Sequence, residues 1–144
     1  MKIKNIDLIS INQILNTYAE KKLPQKISFA ITKNMMILSK DLEVYFKSLQ
    51  KILDEYKEFY KKNQNGETVN LPIGVPEVDE GHMEEYIKEL DELLGIEIEI
   101  ELYTIDESVF DYDDTSGRYD VLTASDIIQL QNILCYKEEE SKEV

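Results

Sequence analysis

The stretch that decides the fold is residues 28–59, SFAITKNMMILSKDLEVYFKSLQKILDEYKEF. Ile31, Met35, Leu38, Leu42, Tyr45, Leu49, Ile52, Tyr56 and Phe59 recur in it at alternating steps of four and three. That beat is the seam of a long helix packed lengthwise on a partner. Ser28, one beat upstream, is the single polar residue on the seam. The pattern predicts a helix from about Gln25 to about Lys62, roughly 57 Å long at 1.5 Å per residue. Phe46, Leu53 and Tyr60 widen the apolar face in its second half. The seam is either an intermolecular coiled coil or the domain's own spine. Aromatics at Tyr45 and Phe59, and no regular opposite charges at the flanking positions, favour the spine. A homodimer through the long helix stays open, because a helix of this length overhangs a small core.

Working outward, Leu23-Pro24 forms the connector upstream, since the residue before a proline avoids helical geometry. Before it, Leu8, Ile11, Leu15 and Tyr18 fall at helical spacing behind Asn5 or Asp7 as a cap. Residues 1–5 alternate Lys and apolar side chains and form a possible short strand. Downstream, Asn63-Gln64-Asn65-Gly66 is expected to stop the long helix. Residues 67–71 read as a strand, and Pro72, Gly74 and Pro76 confine it to an edge. A short amphipathic helix is expected at about 83–94, with Gly95 after its end. Ile96-Glu97-Ile98-Glu99-Ile100-Glu101-Leu102-Tyr103 alternates strictly, the pattern of a strand with one solvated face. Thr123-Ala124-Ser125-Asp126 is a capping signal for a last helix ending near Tyr136. The expected fold is α+β. One long central helix is covered by three shorter ones, with a small, mainly antiparallel sheet of two or three strands. Residues 1–136 form one domain and 137–144 a charged tail.

The chain has 144 residues, 16 Lys and Arg against 30 Asp and Glu, and a formal charge of −14. Arg118 and His82 are the sole members of their kinds. This balance argues against direct nucleic-acid binding, which needs clustered cations, and against anionic membrane surfaces. It points to a protein partner with a basic surface. No apolar run approaches ~20 residues, so no membrane span is expected. The N-terminal residues lack an apolar signal-peptide core. Cys135 stands alone in an apolar helical run, which suits a buried thiol and a reducing compartment.

Three carboxylate clusters carry the charge. Glu97, Glu99 and Glu101 project from one strand face about 6.6 Å apart. Asp106, Glu107, Asp111, Asp113 and Asp114 follow in an acidic loop, and Glu77, Asp79, Glu80, Glu84 and Glu85 surround the entry to the third helix. Either this is an anionic surface imitating a nucleic-acid backbone, or it is a solvated face that maintains solubility. Tyr103, Phe110, Tyr112 and Tyr119 flank the loop and serve either as recognition anchors or as packing of loop on sheet. The partner-binding residues singled out are Glu97, Glu99, Glu101, Tyr103, Asp106, Glu107, Phe110, Asp111, Tyr112, Asp113 and Asp114. The run from Asp111 fails as a calcium loop, because the sixth and twelfth positions hold Ser116 and Leu122 rather than Gly and Glu. No metal site and no cofactor are expected. His82 has no neighbouring nucleophile, and no phosphate loop or paired-cysteine motif occurs, so no catalytic residue is assigned and no enzyme is expected.

Residues 21–56 (KKLPQKISFAITKNMMILSKDLEVYFKSLQKILDEY), Asn65-Gly66 and residues 86–105 (YIKELDELLGIEIEIELYTI) together resemble a group of small proteins from phages and prophages of Gram-positive bacteria. The likeness spans about residues 6–136 and includes Leu122-Thr123 before the last helix. It is one of architecture and carries no site residue across. It implies a phage context and a place in the host bacterial cytoplasm. In that context two functions are expected of a small acidic protein. One is an anti-defence or host-takeover inhibitor of a basic, nucleic-acid-handling protein. The other is a virion-assembly factor such as a tail chaperone or head–tail adaptor.

Overall fold

The computed structural model describes residues 1–137; of the expected tail, 138–144 lie outside the described residues. The elements run β1 (Lys2–Lys4), α1 (Asn5–Ala19), α2 (Gln25–Glu55), α3 (Glu80–Leu94), β2 (Glu97–Glu99) and α4 (Ala124–Leu134). Short 3-10 turns lie at Lys57–Phe59 and Glu107–Phe110. Among the described residues this is an α+β chain with four helices, one of them 31 residues long, and a two-stranded antiparallel sheet. No helix among them is long and apolar enough to cross a membrane. The chain divides into two compact units. One holds Met1–Lys40 with the chain from Glu97 onward, and the other holds Asp41–Ile96.

In the first unit, β1 and β2 pair with Lys2 opposite Glu99, Ile3 opposite Ile98 and Lys4 opposite Glu97. α1 starts where the Lys4 N–H donates to the Asp7 carboxylate at 3.1 Å, so Asp7 serves the helix start from inside the first turn. Leu8, Leu15 and Tyr18 of α1, Leu130, Ile133 and Leu134 of α4, and Ile27, Ala30, Ile31 and Leu38 of α2 are buried. Burying each such leucine or isoleucine contributes ~1.5–3 kcal/mol. The buried stripe departs from the expected seam at two rungs; at the first, Ile27 is buried and Ser28 only half-buried. At the second, Asn34 is fully buried while Met35 is only half-buried, because Asn34 has an inward task described below. At α4 the capping box forms as the sequence indicates. The Asp126 N–H donates to the Thr123 hydroxyl at 3.1 Å, and the Thr123 N–H donates to the Asp126 carboxylate at 2.9 Å. α1 packs on α4, and the Tyr18 hydroxyl donates to Asp126 across that contact at 2.5 Å. Cys135 is buried just past α4, and burial pushes its thiol up, away from thiolate chemistry.

In the second unit, α2 ends at Glu55 rather than near Lys62. Tyr56, Phe59 and Tyr60 stay buried or half-buried but lie beyond the helix, where Phe59 O accepts from the Asp79 N–H at 3.0 Å and Tyr60 bridges to Val78. Isolated bridges join Tyr60 to Val78, Lys62 to Thr68 and Asn70 to Pro76. Lys61 N–H donates to Glu77 O, Glu77 N–H to Val69 O, and Val69 N–H to Lys61 O, each within 3.0 Å. Residues 67–71 are therefore not a strand of the main sheet; their pairing is local and closes on residues 60–78. Gly66 turns this segment with φ +77°, a conformation that L side chains rarely adopt. α3 starts at Glu80, three residues before the expected start, because the Asp79 carboxylate caps it by accepting from the His82 N–H at 3.1 Å. Tyr56, Val78, Tyr86 and Leu90 form the core, with the Tyr56 and Tyr86 rings 5.0 Å apart. The Tyr86 hydroxyl donates to Pro76 O at 2.6 Å.

Two outcomes follow. Leu130→Ala, at a fully buried position, should cost ~2–5 kcal/mol in urea unfolding. Met36→Ala, on a side chain 70% exposed, should stay within ~0.5 kcal/mol. The second outcome concerns alkaline pH. Tyr18 is pushed up to about 12, first by its hydrogen bond to Asp126 and then by burial. Tyr86 is pushed up to about 12 by burial first. A tyrosine whose folded value is raised stabilises fully below its unfolded value near 10, and that contribution is lost as pH rises through the folded value. The Tm should therefore hold to about pH 9.5 and fall between about pH 10 and 12. Tyr18→Phe and Tyr86→Phe should each have a lower starting Tm and a shallower fall.

Candidate functional site

The acidic residues lie on the first unit, along a chain that leaves β2 and wraps back to α4. After Glu99 the strand expected to reach Tyr103 gives up its sheet partner, so its backbone groups must find partners singly. Ile100 N–H donates to Met1 O at 3.0 Å, and Ile105 N–H donates to Leu134 O at 2.8 Å. Between them, the buried Asn34 amide takes the place of a neighbouring strand. Its Nδ2 donates to Tyr103 O at 2.9 Å, and its Oδ1 accepts from Tyr103 N–H at 2.7 Å. A side-chain amide has the donor and acceptor of a peptide group in the same geometry, so one asparagine satisfies both sides of one residue. This was not singled out from the sequence. The available signal was a lone Asn between Ile31 and Leu38 on the apolar face of a helix.

The glutamate row is partly neutralised. Directly opposite residues of an antiparallel pair share a face, so Lys4 faces Glu97 and Lys2 faces Glu99. The N-terminal ammonium adds a 3.0 Å ion pair to Glu99. Glu101 lies past β2 and is exposed. Net anionic character therefore concentrates downstream of Tyr103 rather than on the strand.

Tyr103 is 40% exposed and meets the edge of Phe29, itself 56% exposed, with ring centroids 5.4 Å apart. Asp106 closes the next turn by accepting from Ser108 N–H at 2.9 Å. The Ser108 hydrogen bonds hold its carboxyl below the usual range. Glu107 and Asp111 are exposed. Phe110 is corrected as a recognition residue: it is buried, and its ring packs inside instead of facing a partner. Tyr112 is half-buried, donates from its hydroxyl to Asp120 O at 3.1 Å and meets Tyr119 edge-on at 5.5 Å, so it braces the loop. Asp113 accepts from the Thr115 hydroxyl at 2.6 Å and from the Thr115 N–H at 2.9 Å, which lowers its pKa. Asp114 is half-buried. The loop's far end is pinned where Asp120 exchanges two bonds with the Lys22 backbone, 2.7 and 2.8 Å. Among the described residues, no group of three or more His, Cys, Asp or Glu side chains is placed to hold a metal ion.

A cleft of about 530 Å³ opens between the first turns of α2 and residues 103–109, lined by Lys26, Phe29, Tyr103, Ile105, Asp106 and Val109. His82, on the second unit, is stacked on Phe59 at 3.6 Å and bonded through Nδ1 to the Asp79 carboxylate at 2.6 Å. It serves the entry to α3. No family model, curated protein or solved structure matches the chain.

Asn34→Ala should destabilise the protein by roughly 2–4 kcal/mol, because it leaves the N–H and C=O of Tyr103 unpaired. Asn34→Asp should recover part of this only at low pH, where a protonated carboxyl regains the donor. Chemical denaturation of both variants at pH 4 and pH 7 checks this. Equal stability of Asn34→Ala and the parent protein would remove Asn34 as the anchor of this segment.

Proposed function

We propose that this protein is a non-enzymatic, phage-encoded binder of a basic protein surface. It acts in the host bacterial cytoplasm as an anti-defence or host-takeover inhibitor of a nucleic-acid-handling protein. The observation that carries the reading is the exposed acidic segment running from Glu101 through Glu107 and Asp111 to Asp113. Its backbone is tied at Tyr103, Ile105 and Asp120 and its turns are locked by Asp106 and Asp113. Carboxylates on a preorganised backbone lose little entropy on binding, and their field steers a cationic partner. Nucleic-acid mimicry by this segment requires that binding weaken steeply with salt. The chain's charge of −14 and its single arginine support a protein rather than a nucleic acid as the partner.

The second reading, a virion-assembly factor, draws on exposed apolar side chains along α2, with Phe29, Met36, Val44 and Phe46 each more than half exposed. Affinity capture from infected-cell lysate separates the two. The inhibitor reading expects a basic, nucleic-acid-binding host protein, retained at ~50 mM salt, released by ~300 mM and lost with Glu101→Lys/Glu107→Lys/Asp111→Lys. Recovery of virion proteins alone, undiminished by those reversals, would end the inhibitor reading.

A further inference from the structure

In a chain with nearly twice as many acidic as basic residues, the first four turns of α2 carry no acidic side chain at all. Residues 25–40 hold Lys26, Lys33 and Lys40, all exposed. They are spaced by seven residues, which advances ~10.5 Å along the axis while drifting only ~20° around it. The lysines therefore form one straight row. Phe29 and Met36 lie beside that row on the solvent side, opposite the buried Ile31, Asn34 and Leu38. The apolar cleft of about 530 Å³ begins where this row starts, and both Lys26 and Asp106 line it. Glu107 and Asp111, both exposed, follow Asp106 along the chain.

Opposite charges, Lys26 and Asp106, thus line one cleft together with an exposed aromatic pair, Phe29 and Tyr103. A surface with both signs on either side of a centre is complementary to its own copy turned by a two-fold rotation. We infer that this face is a self-association surface. In it the lysine row of α2 in one copy lies against Asp106, Glu107 and Asp111 of a second copy, with the Phe29 and Tyr103 rings of both copies at the centre. The arrangement gives an apolar middle and a charged rim, the usual division of a protein interface. Pairing α2 directly on α2 through this face would instead bring six ammonium groups together, so the exchanged arrangement is the favoured one. The overall charge of −14 opposes association, but charges more than ~8 Å apart are screened at physiological ionic strength, whereas facing pairs are not.

The inference does not rest on the proposed function, and its test uses the chain alone. Sedimentation equilibrium from ~10 μM to ~1 mM should show the mass rising from 16.8 kDa toward twice that value. Lys26→Glu/Lys33→Glu/Lys40→Glu should be monomeric throughout, and so should Glu107→Lys/Asp111→Lys. An equimolar mixture of these two variants should associate at least ~10-fold more tightly than either alone, because each then offers the other's missing sign. A parent protein that stays monomeric over the whole range overturns the inference. So does association that survives both sets of changes, or a mixture that behaves as its separate components. All five substituted positions are exposed, and the rescue in the mixture distinguishes a lost interface from a lost fold.

Discussion

A single buried amide organises the first unit. Extended backbone that has left a sheet needs a partner for every N–H and C=O, and α2 has no free backbone groups to offer along its middle. Asn34 resolves this by presenting a peptide-like group from a helix face to Tyr103. The contact holds Tyr103 against α2, where its ring meets Phe29 edge-on and lines one cleft with Lys26 and Asp106. The cost is a polar side chain in an apolar stripe, and it is met because both hydrogen-bonding ends of the amide are used.

The charge of the chain is patterned more finely than its total suggests. β1 lays lysines opposite the first two glutamates of β2, so the most regular acidic feature is the one most compensated. Carboxylates collect in the loop after Tyr103, where Asp106 and Asp113 accept hydrogen bonds that lock turns and Lys137 lies near enough to favour the charge on Asp106. Those bonds favour the ionised form, and Asp106 and Asp113 stay negative to lower pH than free carboxylates. The longest stretch of α2 without acidic residues, 25–40, carries a row of three exposed lysines. Both signs are therefore available on one unit.

Tyrosine serves both units in the same way, with its ring buried and its hydroxyl bonded to a distant group. Tyr18 ties α1 to the cap of α4, and Tyr86 ties α3 to the carbonyl of Pro76. Tyr112 and Tyr119 pack edge-on within the acidic loop and are half-buried, leaving Tyr103 as the exposed tyrosine beside it. An aromatic near an acidic loop is thus no marker of recognition until its burial is known. Phe110 and Tyr103 are seven residues apart and have opposite fates.

Elements with a local cause are legible in the residues alone. The four-three beat located α2 but not its end, the Thr123 and Asp126 pair located the start of α4, and the isoleucine–glutamate alternation located β2 but not its length. Each of these is written within one continuous segment of the chain. The remaining features depend on partners far apart in the chain. Asn34 meets Tyr103 across 69 residues and Tyr18 meets Asp126 across 108, and no periodicity encodes which distant partner a polar side chain will find. The same holds where long-range pairing overrode a local signal. Tyr56 and Phe59 continue the heptad beat, yet lie beyond the helix, where Phe59 O accepts from the Asp79 N–H and the adjoining Tyr60 bridges to Val78. Glu97 and Glu99 form a row in sequence, but the antiparallel register of a strand more than 90 residues earlier sets lysines against them.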